Sequence, residues 1–346
     1  VNPLQLAGFG LASLAVMGND ALQTLGPFLA SQRWQGNRWL QGLVLAAVLC
    51  LVLLLSWAAG AGDPAWGLLD RFPLPDPFRW RDLLPLVALL LLTRLGMPVS
   101  TSFLVLTALA PLELGAMVRK SLAGYGVAFA LAALVYGVLA PWLEGRPPDG
   151  AARPPEAADH PDRPRSQTLP ASGTGTGGSG SKGGAAGAFP WGLLQWLATV
   201  ALWSQWLVQD LANIYVYLPR RLSLAELLVT LVVLCGAVAL TVTLGGGPMQ
   251  ARLRGKCRLA DPRATTVISL LYGLVLLLFL GGDRLPLSTS WLFLGLLAGR
   301  EVGLACRRVG RPIPVLLQDL TLDLLRAAAG LATSLAVALL VAADRA

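Results

Sequence analysis

The pentapeptide Pro98-Val99-Ser100-Thr101-Ser102 returns as Pro286-Leu287-Ser288-Thr289-Ser290, 188 residues further on. Extended to Glu113 and Glu301, the two windows agree at nine of sixteen positions. An acidic motif precedes each copy: Gly18-Asn19-Asp20-Ala21-Leu22-Gln23 in one case, Val208-Gln209-Asp210-Leu211-Ala212-Asn213 in the other, with the aspartates 190 residues apart. Two motifs repeating in order at nearly one offset indicate duplication of a half. The fold must therefore be built twice over, and each motif has to act in a pair.

What surrounds the motifs is apolar. Of 346 residues, 55% are hydrophobic and 13% charged, with mean hydropathy +0.63. A soluble domain carries about 25% charged residues. Runs over 39–59, 121–143, 224–244 and 324–343 reach the roughly 20 residues that span a bilayer. The chain is read as an all-α integral membrane protein. Its net charge of +8 fits loop lysines and arginines that set orientation in the membrane, and no nucleic-acid partner is expected. The four cysteines have neither metal nor disulfide spacing and are read as free thiols. The single histidine, His160, lies in a polar stretch, which removes histidine from any catalytic or metal proposal. No cleavable signal peptide is expected, because a long apolar run begins without a basic segment before it.

Three regions follow: a first repeat at 1–143, a linker at 144–190 dense in Pro, Gly, Ser and Ala, and a second repeat at 191–346. The linker composition predicts a disordered cytoplasmic tether. Each repeat is expected to start with a helix broken at its acidic motif (4–30; 191–218), followed by a clean span. Two apolar arms then flank the Pro-x-Ser-Thr-Ser motif, and a last span closes the half. The arms at 83–92 and 103–112 would be about 15 Å long as helices, too short for a core of roughly 30 Å. That predicts a re-entrant helical hairpin. Its counterpart uses 265–280 and 291–299, where the first arm is long enough to leave its stopping point open. Hairpins returning to their own side leave three crossings per half, and an odd number makes the two repeats inverted in topology. Arginines and lysines divide sixteen to eight between the two sides, or eleven to eight without the linker. This places the linker inside, both termini outside, and the protein in a cell (inner) membrane.

Polar islands inside such a chain mark function. Breaks in membrane helices survive only when buried in protein or lining a wet cavity, and matching breaks in two inverted halves mark a transporter's substrate site. Ser100, Thr101 and Ser102, with Ser288, Thr289 and Ser290, begin the second arm of each hairpin. Hydroxyl residues there cap the helix and leave free N–H groups at its positive end, an oxyanion cradle that needs no lysine or histidine. Asn19, Asp20 and Gln23, with Gln209, Asp210 and Asn213, offer the carboxylate and amide oxygens that hard cations prefer. The plainer readings are helix caps for the serines and threonines and structural N-caps for the aspartates; duplication and burial in the membrane argue for function. Glu113 and Glu301 are read equally as interfacial or functional, Arg94 and Arg284 as snorkelling side chains, and Gln318, Asp319, Asp323 and Arg326 as a self-paired helix face. Trp191, Trp196, Trp203 and Trp206 are read as belt and packing residues. Two membrane carboxylates sharing a proton could serve an aspartyl enzyme, but Asp20 and Asp210 sit in duplicated, asparagine-containing motifs, and no enzymatic activity is expected.

At these residues the chain resembles the inorganic phosphate transporter (PiT) family. That family carries a Gly-Ala-Asn-Asp-x-x-Asn motif and a Pro-Val-Ser-Thr-Thr-His motif once in each inverted half. Gly18, Asn19 and Asp20, then Asp210, Ala212 and Asn213, match the first; Pro98, Val99, Ser100 and Thr101, then Pro286, Ser288 and Thr289, match the second. The resemblance covers both halves and leaves out the linker. It implies cation-coupled phosphate import, with the acidic pairs at the ion and phosphate sites and the Ser-Thr turns on the anion. Transported Na⁺ or H⁺ would be cargo, with no cofactor and no metal beyond transported Na⁺. A homodimer is left open. Gln23, Gln209, Ser102, Ser290, Phe103 and Trp291 depart from the family pattern, so Na⁺ against H⁺ and phosphate against sulfate stay open. A non-transporting sensor or scaffold of the same fold is the remaining alternative.

Overall fold

A computed structural model describes residues 2–30, 38–94, 99–143, 191–244, 262–281, 283–307 and 312–343. The expected linker disorder, Pro98 and most of the arginines used to assign sidedness lie outside the described residues. Within them the chain forms ten α-helices and no strand: α1 (Pro3–Ala30), α2 (Arg38–Ala59), α3 (Leu84–Arg94), α4 (Thr101–Leu109), α5 (Leu114–Leu143), α6 (Trp191–Tyr215), α7 (Leu224–Leu244), α8 (Pro262–Leu280), α9 (Thr289–Cys306) and α10 (Ile313–Ala343). Five of them, α2, α5, α7, α8 and α10, are long and apolar enough to cross a membrane. Leu51, Leu54 and Leu55 on α2, Val229 and Val232 on α7, and Leu339 and Leu340 on α10 stand exposed. Asn19, Asp20, Gln195, Gln209, Asp210, Asn213 and Thr265 are buried. Apolar side chains outside and polar ones inside is the arrangement a lipid solvent selects.

Contacts at the helix ends fix the directions of the central pairs. Phe9 near the start of α1 meets Tyr215 at the end of α6, and Phe28 near the end of α1 meets Trp196 near the start of α6, with ring centroids 5.5 and 4.8 Å apart. The helices α1 and α6 are therefore antiparallel. The same holds for α2 and α7. Arg38 donates to the Thr243 carbonyl at one end (3.1 Å), Trp57 donates to the Leu222 carbonyl at the other (2.7 Å), and the thiols of Cys50 and Cys235 meet halfway at 3.5 Å. The closest helix packing is between α5 and α9. A Cβ on Gly295 would stand 2.5 Å from the Tyr125 carbonyl oxygen, one on Gly303 2.7 Å from that of Ala133, and one on Gly299 would overlap the Phe129 carbonyl. Small residues spaced by four let two membrane helices approach backbone to backbone, where dispersion does the work that water does elsewhere.

Two expectations need correction. The first helices are not broken: α1 runs unbroken through Gly18–Gln23, and α6 through 208–213. Neither motif contains proline, and their polar side chains bond one another along the helix, so the main-chain ladder has no need to open. Asn19 donates to Asp20 (2.8 Å), Gln23 to Asn19 (3.4 Å) and Asn213 to Asp210 (2.9 Å).

The arms expected to flank the two Pro-x-Ser-Thr-Ser motifs are also unequal. In the first half α3 and α4 have 11 and 9 residues, whereas α8 and α9 have 19 and 18. The second pair are about 27–29 Å long and approach the full thickness of the hydrocarbon core. Proline explains the difference. Pro111 ends the first half's second arm in a 3-10 turn, and the matching position in the repeat is Gly299, through which α9 continues. Pro73, Pro75 and Pro77 keep the chain before α3 irregular, and no proline lies between Pro262 and Pro286.

Candidate functional site

Both Ser-Thr-Ser motifs open a helix in the same way. Ser100 (φ −78, ψ 113) and Ser288 (φ −76, ψ 103) are N-caps of α4 and α9. Their hydroxyls accept the amide protons of Phe103 (3.3 Å) and Trp291 (3.2 Å). Each cap satisfies one of the donors a helix start leaves over. Thr101 and Ser102, or Thr289 and Ser290, then occupy the first turn, where the positive end of the helix dipole faces outward. All six side chains are buried.

The acidic motifs of the other half come to these turns. Ser290 donates to Asp20 Oδ1 at 3.4 Å, joining α9 to α1; Asn213 donates to the Ser102 hydroxyl at 3.1 Å, joining α6 to α4. Thr101 also lies against Asp20, and Thr289 against Asp210. Asp20 and Asp210 are close enough to interact electrostatically, and they are 2% and 1% exposed. Asn19, Asp20, Gln23, Thr101, Ser102, Asp210, Asn213, Thr289 and Ser290, with the caps Ser100 and Ser288 beside them, thus form one buried polar cluster, each acidic motif touching the serine turn of the opposite half. Gln209 is buried next to Asp210 in sequence and, among the described residues, is not linked to the others.

The cluster is short of donors. Among the described residues, Asp210 Oδ2, Gln209 Oε1, Asn213 Oδ1 and the Thr101 hydroxyl have no partner with hydrogen-bond geometry. A buried oxygen left without a donor costs on the order of 1–3 kcal/mol, more where it is charged. The acceptor oxygens among them, led by Asp210 Oδ2 and Asn213 Oδ1, are what a bound cation or proton would satisfy, whereas the Thr101 hydroxyl carries a proton of its own. The donors an oxyanion needs come instead from the two helix starts and their hydroxyls.

Three residues of the cluster's surroundings were not foreseen. Tyr272 on α8 donates to the Thr289 carbonyl (2.9 Å) and meets the Thr24 hydroxyl at 3.5 Å. Ser121 on α5 accepts the Ser288 amide proton at 2.8 Å. Nothing in the sequence singles out Tyr272, which shares its helix with the hydroxyls of Thr265, Thr266 and Ser269, and nothing marks Thr24 or Ser121.

The remaining charged candidates lie elsewhere. Arg284 pairs with Asp70 at the surface (3.3 Å), Glu113 with Arg71 (3.6 Å) and Glu301 with Arg300 (2.6 Å). Arg94 is exposed. Arg326 reaches Asp323 at 3.4 Å. Trp203 and Trp206 stack in the core with centroids 4.7 Å apart.

No family model matches the chain, and neither a curated protein nor a solved structure matches it.

Proposed function

We propose that this protein is a secondary active transporter of the inner membrane that imports inorganic phosphate by symport with Na⁺ or H⁺. In this reading the halves are inverted repeats, the arms around Ser100 and Ser288 are hairpin-like elements, and the serine turns hold the anion while Asp20 and Asp210 serve the cation. The observation that carries it is the crossed pairing, Ser290 to Asp20 and Asn213 to Ser102. Such reciprocal contacts are what two halves related by a pseudo-two-fold axis would make. The antiparallel course of α1 with α6 and of α2 with α7 supports inversion, since corresponding helices of inverted halves run in opposite directions.

Coupling follows from energetics. Carrying one negative charge inward against about 100 mV costs about 2.3 kcal/mol, and a dianion about twice that. Import therefore requires co-transported cations, and the donor-poor oxygens beside Asp210 are their natural ligands. The same carboxyl groups favour phosphate over sulfate, because a protonated phosphate oxygen can donate to a carboxylate and a sulfate dianion has no proton to give.

The test is uptake of labelled phosphate by proteoliposomes with Na⁺ and pH gradients imposed separately, with sulfate as competitor. Cation-driven accumulation of phosphate is expected, and Asp20→Asn and Asp210→Asn should each abolish it while the purified variants keep their helical content. Unchanged uptake in both variants overturns the ion-site assignment. Sulfate accumulation in place of phosphate would make this an oxyanion permease of another specificity, and binding without accumulation a sensor or scaffold.

A further inference from the structure

On the flank of the molecule, away from the buried cluster, the start of α5 and the end of α8 leave an open cleft of about 530 Å³ lined by Ala116, Arg119, Lys120, Leu278, Phe279 and Asp283. One wall is basic and the other apolar. The apolar wall continues along α8 as a row of exposed leucines, Leu270, Leu274, Leu277 and Leu278, the face that meets lipid. Lys120 is nearly buried, at 11% side-chain exposure, and its ammonium bonds Asp283 (2.7 Å) and the Leu285 carbonyl (2.6 Å). An ammonium has three donors, and these two acceptors use two of them. Arg119 is exposed, with its guanidinium fork free to meet a phosphate.

We propose that this cleft binds an anionic phospholipid, its headgroup phosphate on Arg119 and Lys120 and an acyl chain along the α8 leucines. Charge complementarity and a wall built for hydrocarbon fit one ligand carrying both features. A free anion would use the basic wall and leave the apolar one without a role. The neutralising Asp283 leaves the cleft with a net positive charge of one, which suits a phosphodiester monoanion.

The site is wired to the buried cluster. Lys120 holds the 283–285 segment, and the next residue, Ser121, holds the amide of Ser288. A lipid phosphate that shares Lys120 therefore acts on the segment leading into the Ser288 turn. This binding site stands whether or not the protein transports phosphate.

Titration of the full chain in detergent with phosphatidylglycerol, phosphatidylcholine or inorganic phosphate, followed by native mass spectrometry, reads it directly. Phosphatidylglycerol should bind at least about tenfold more tightly than phosphatidylcholine, and Arg119→Gln should weaken it about tenfold, the loss of one charge-assisted bond. Arg221→Gln, which removes another exposed arginine, should leave it unchanged. Amide exchange over 283–288 should slow when phosphatidylglycerol is bound. Equal losses in the two arginine variants would make the attraction diffuse and overturn the site. Displacement of the lipid by millimolar inorganic phosphate would make it a free-anion site and overturn the lipid assignment. Unaltered exchange over 283–288 would overturn the link to the turn.

Discussion

Tyr272 has no twin. The position matching it in the first half, 188 residues earlier, is Leu84, so only one serine turn has a phenol bonded to its first helical carbonyl. Tyr272→Phe removes a buried hydrogen bond worth about 1 kcal/mol. Under the proposed transport function it should raise the KM for phosphate in the uptake assay while Asp20 and Asp210 stay in place; an unaltered KM would confine Tyr272 to packing. Asp283 allows a test by pH. Partial burial raises its carboxyl pKa, but the Lys120 ammonium and the Leu285 amide outweigh this and hold it below the usual value. A pKa depressed by folding adds stability above the unfolded value and loses it as pH falls through the folded one. The unfolding temperature in detergent should therefore fall as the solution is acidified below pH 3.8, and Asp283→Asn should remove that component. At this scale the sequence was informative about which polar residues are buried together, because the repeated motifs single them out. It said nothing of Ser121 or Thr24, whose roles depend on which helices become neighbours.

For helices, the lesson is that polarity and irregularity are separate things. A partly polar hexapeptide inside an apolar run looks like a break, yet 18–23 stays helical, with Gln23 donating to Asn19 one turn back and Asn19 to its neighbour Asp20. The real interruptions sit where proline does, before α3 and at Pro111. The short arms of the first half and the greater length of α8 were legible from the apolar runs; the full length of α9, expected only over 291–299, was not, because the substitution of Gly299 for Pro111 falls near the edge of the repeated window. The glycines of α9 give a test of packing. Gly299→Leu forces α5 and α9 apart and should destabilise by about 1–3 kcal/mol, the usual range for overpacking. Gly236→Ala on α7, where an added methyl meets nothing within 4 Å, should leave stability unchanged or raise it slightly. Thermal unfolding of the two variants in one detergent separates these outcomes.

Across the whole molecule, the halves are sewn together down their length. Cys50 and Cys235, 3.5 Å apart, supply a chemical ruler for that seam. A membrane-permeant diazene oxidant should take two electrons and two protons from the thiol pair, becoming the hydrazine and leaving a disulfide. After proteolysis within 144–190 the two halves should then run as one species without reductant and as two with it; Cys50→Ser should abolish the link. Halves that separate under both conditions would place α2 and α7 apart. The inequality of the arms carries a last consequence. One half ends its inner arm at a proline; the other drives a full-length arm along α5, clasped by Gly295, Gly299 and Gly303. The two halves share their motifs, but they are not interchangeable parts. Two copies of residues 1–143, co-expressed, would lack the long glycine-faced rod that packs along α5 and leave that helix without its neighbour.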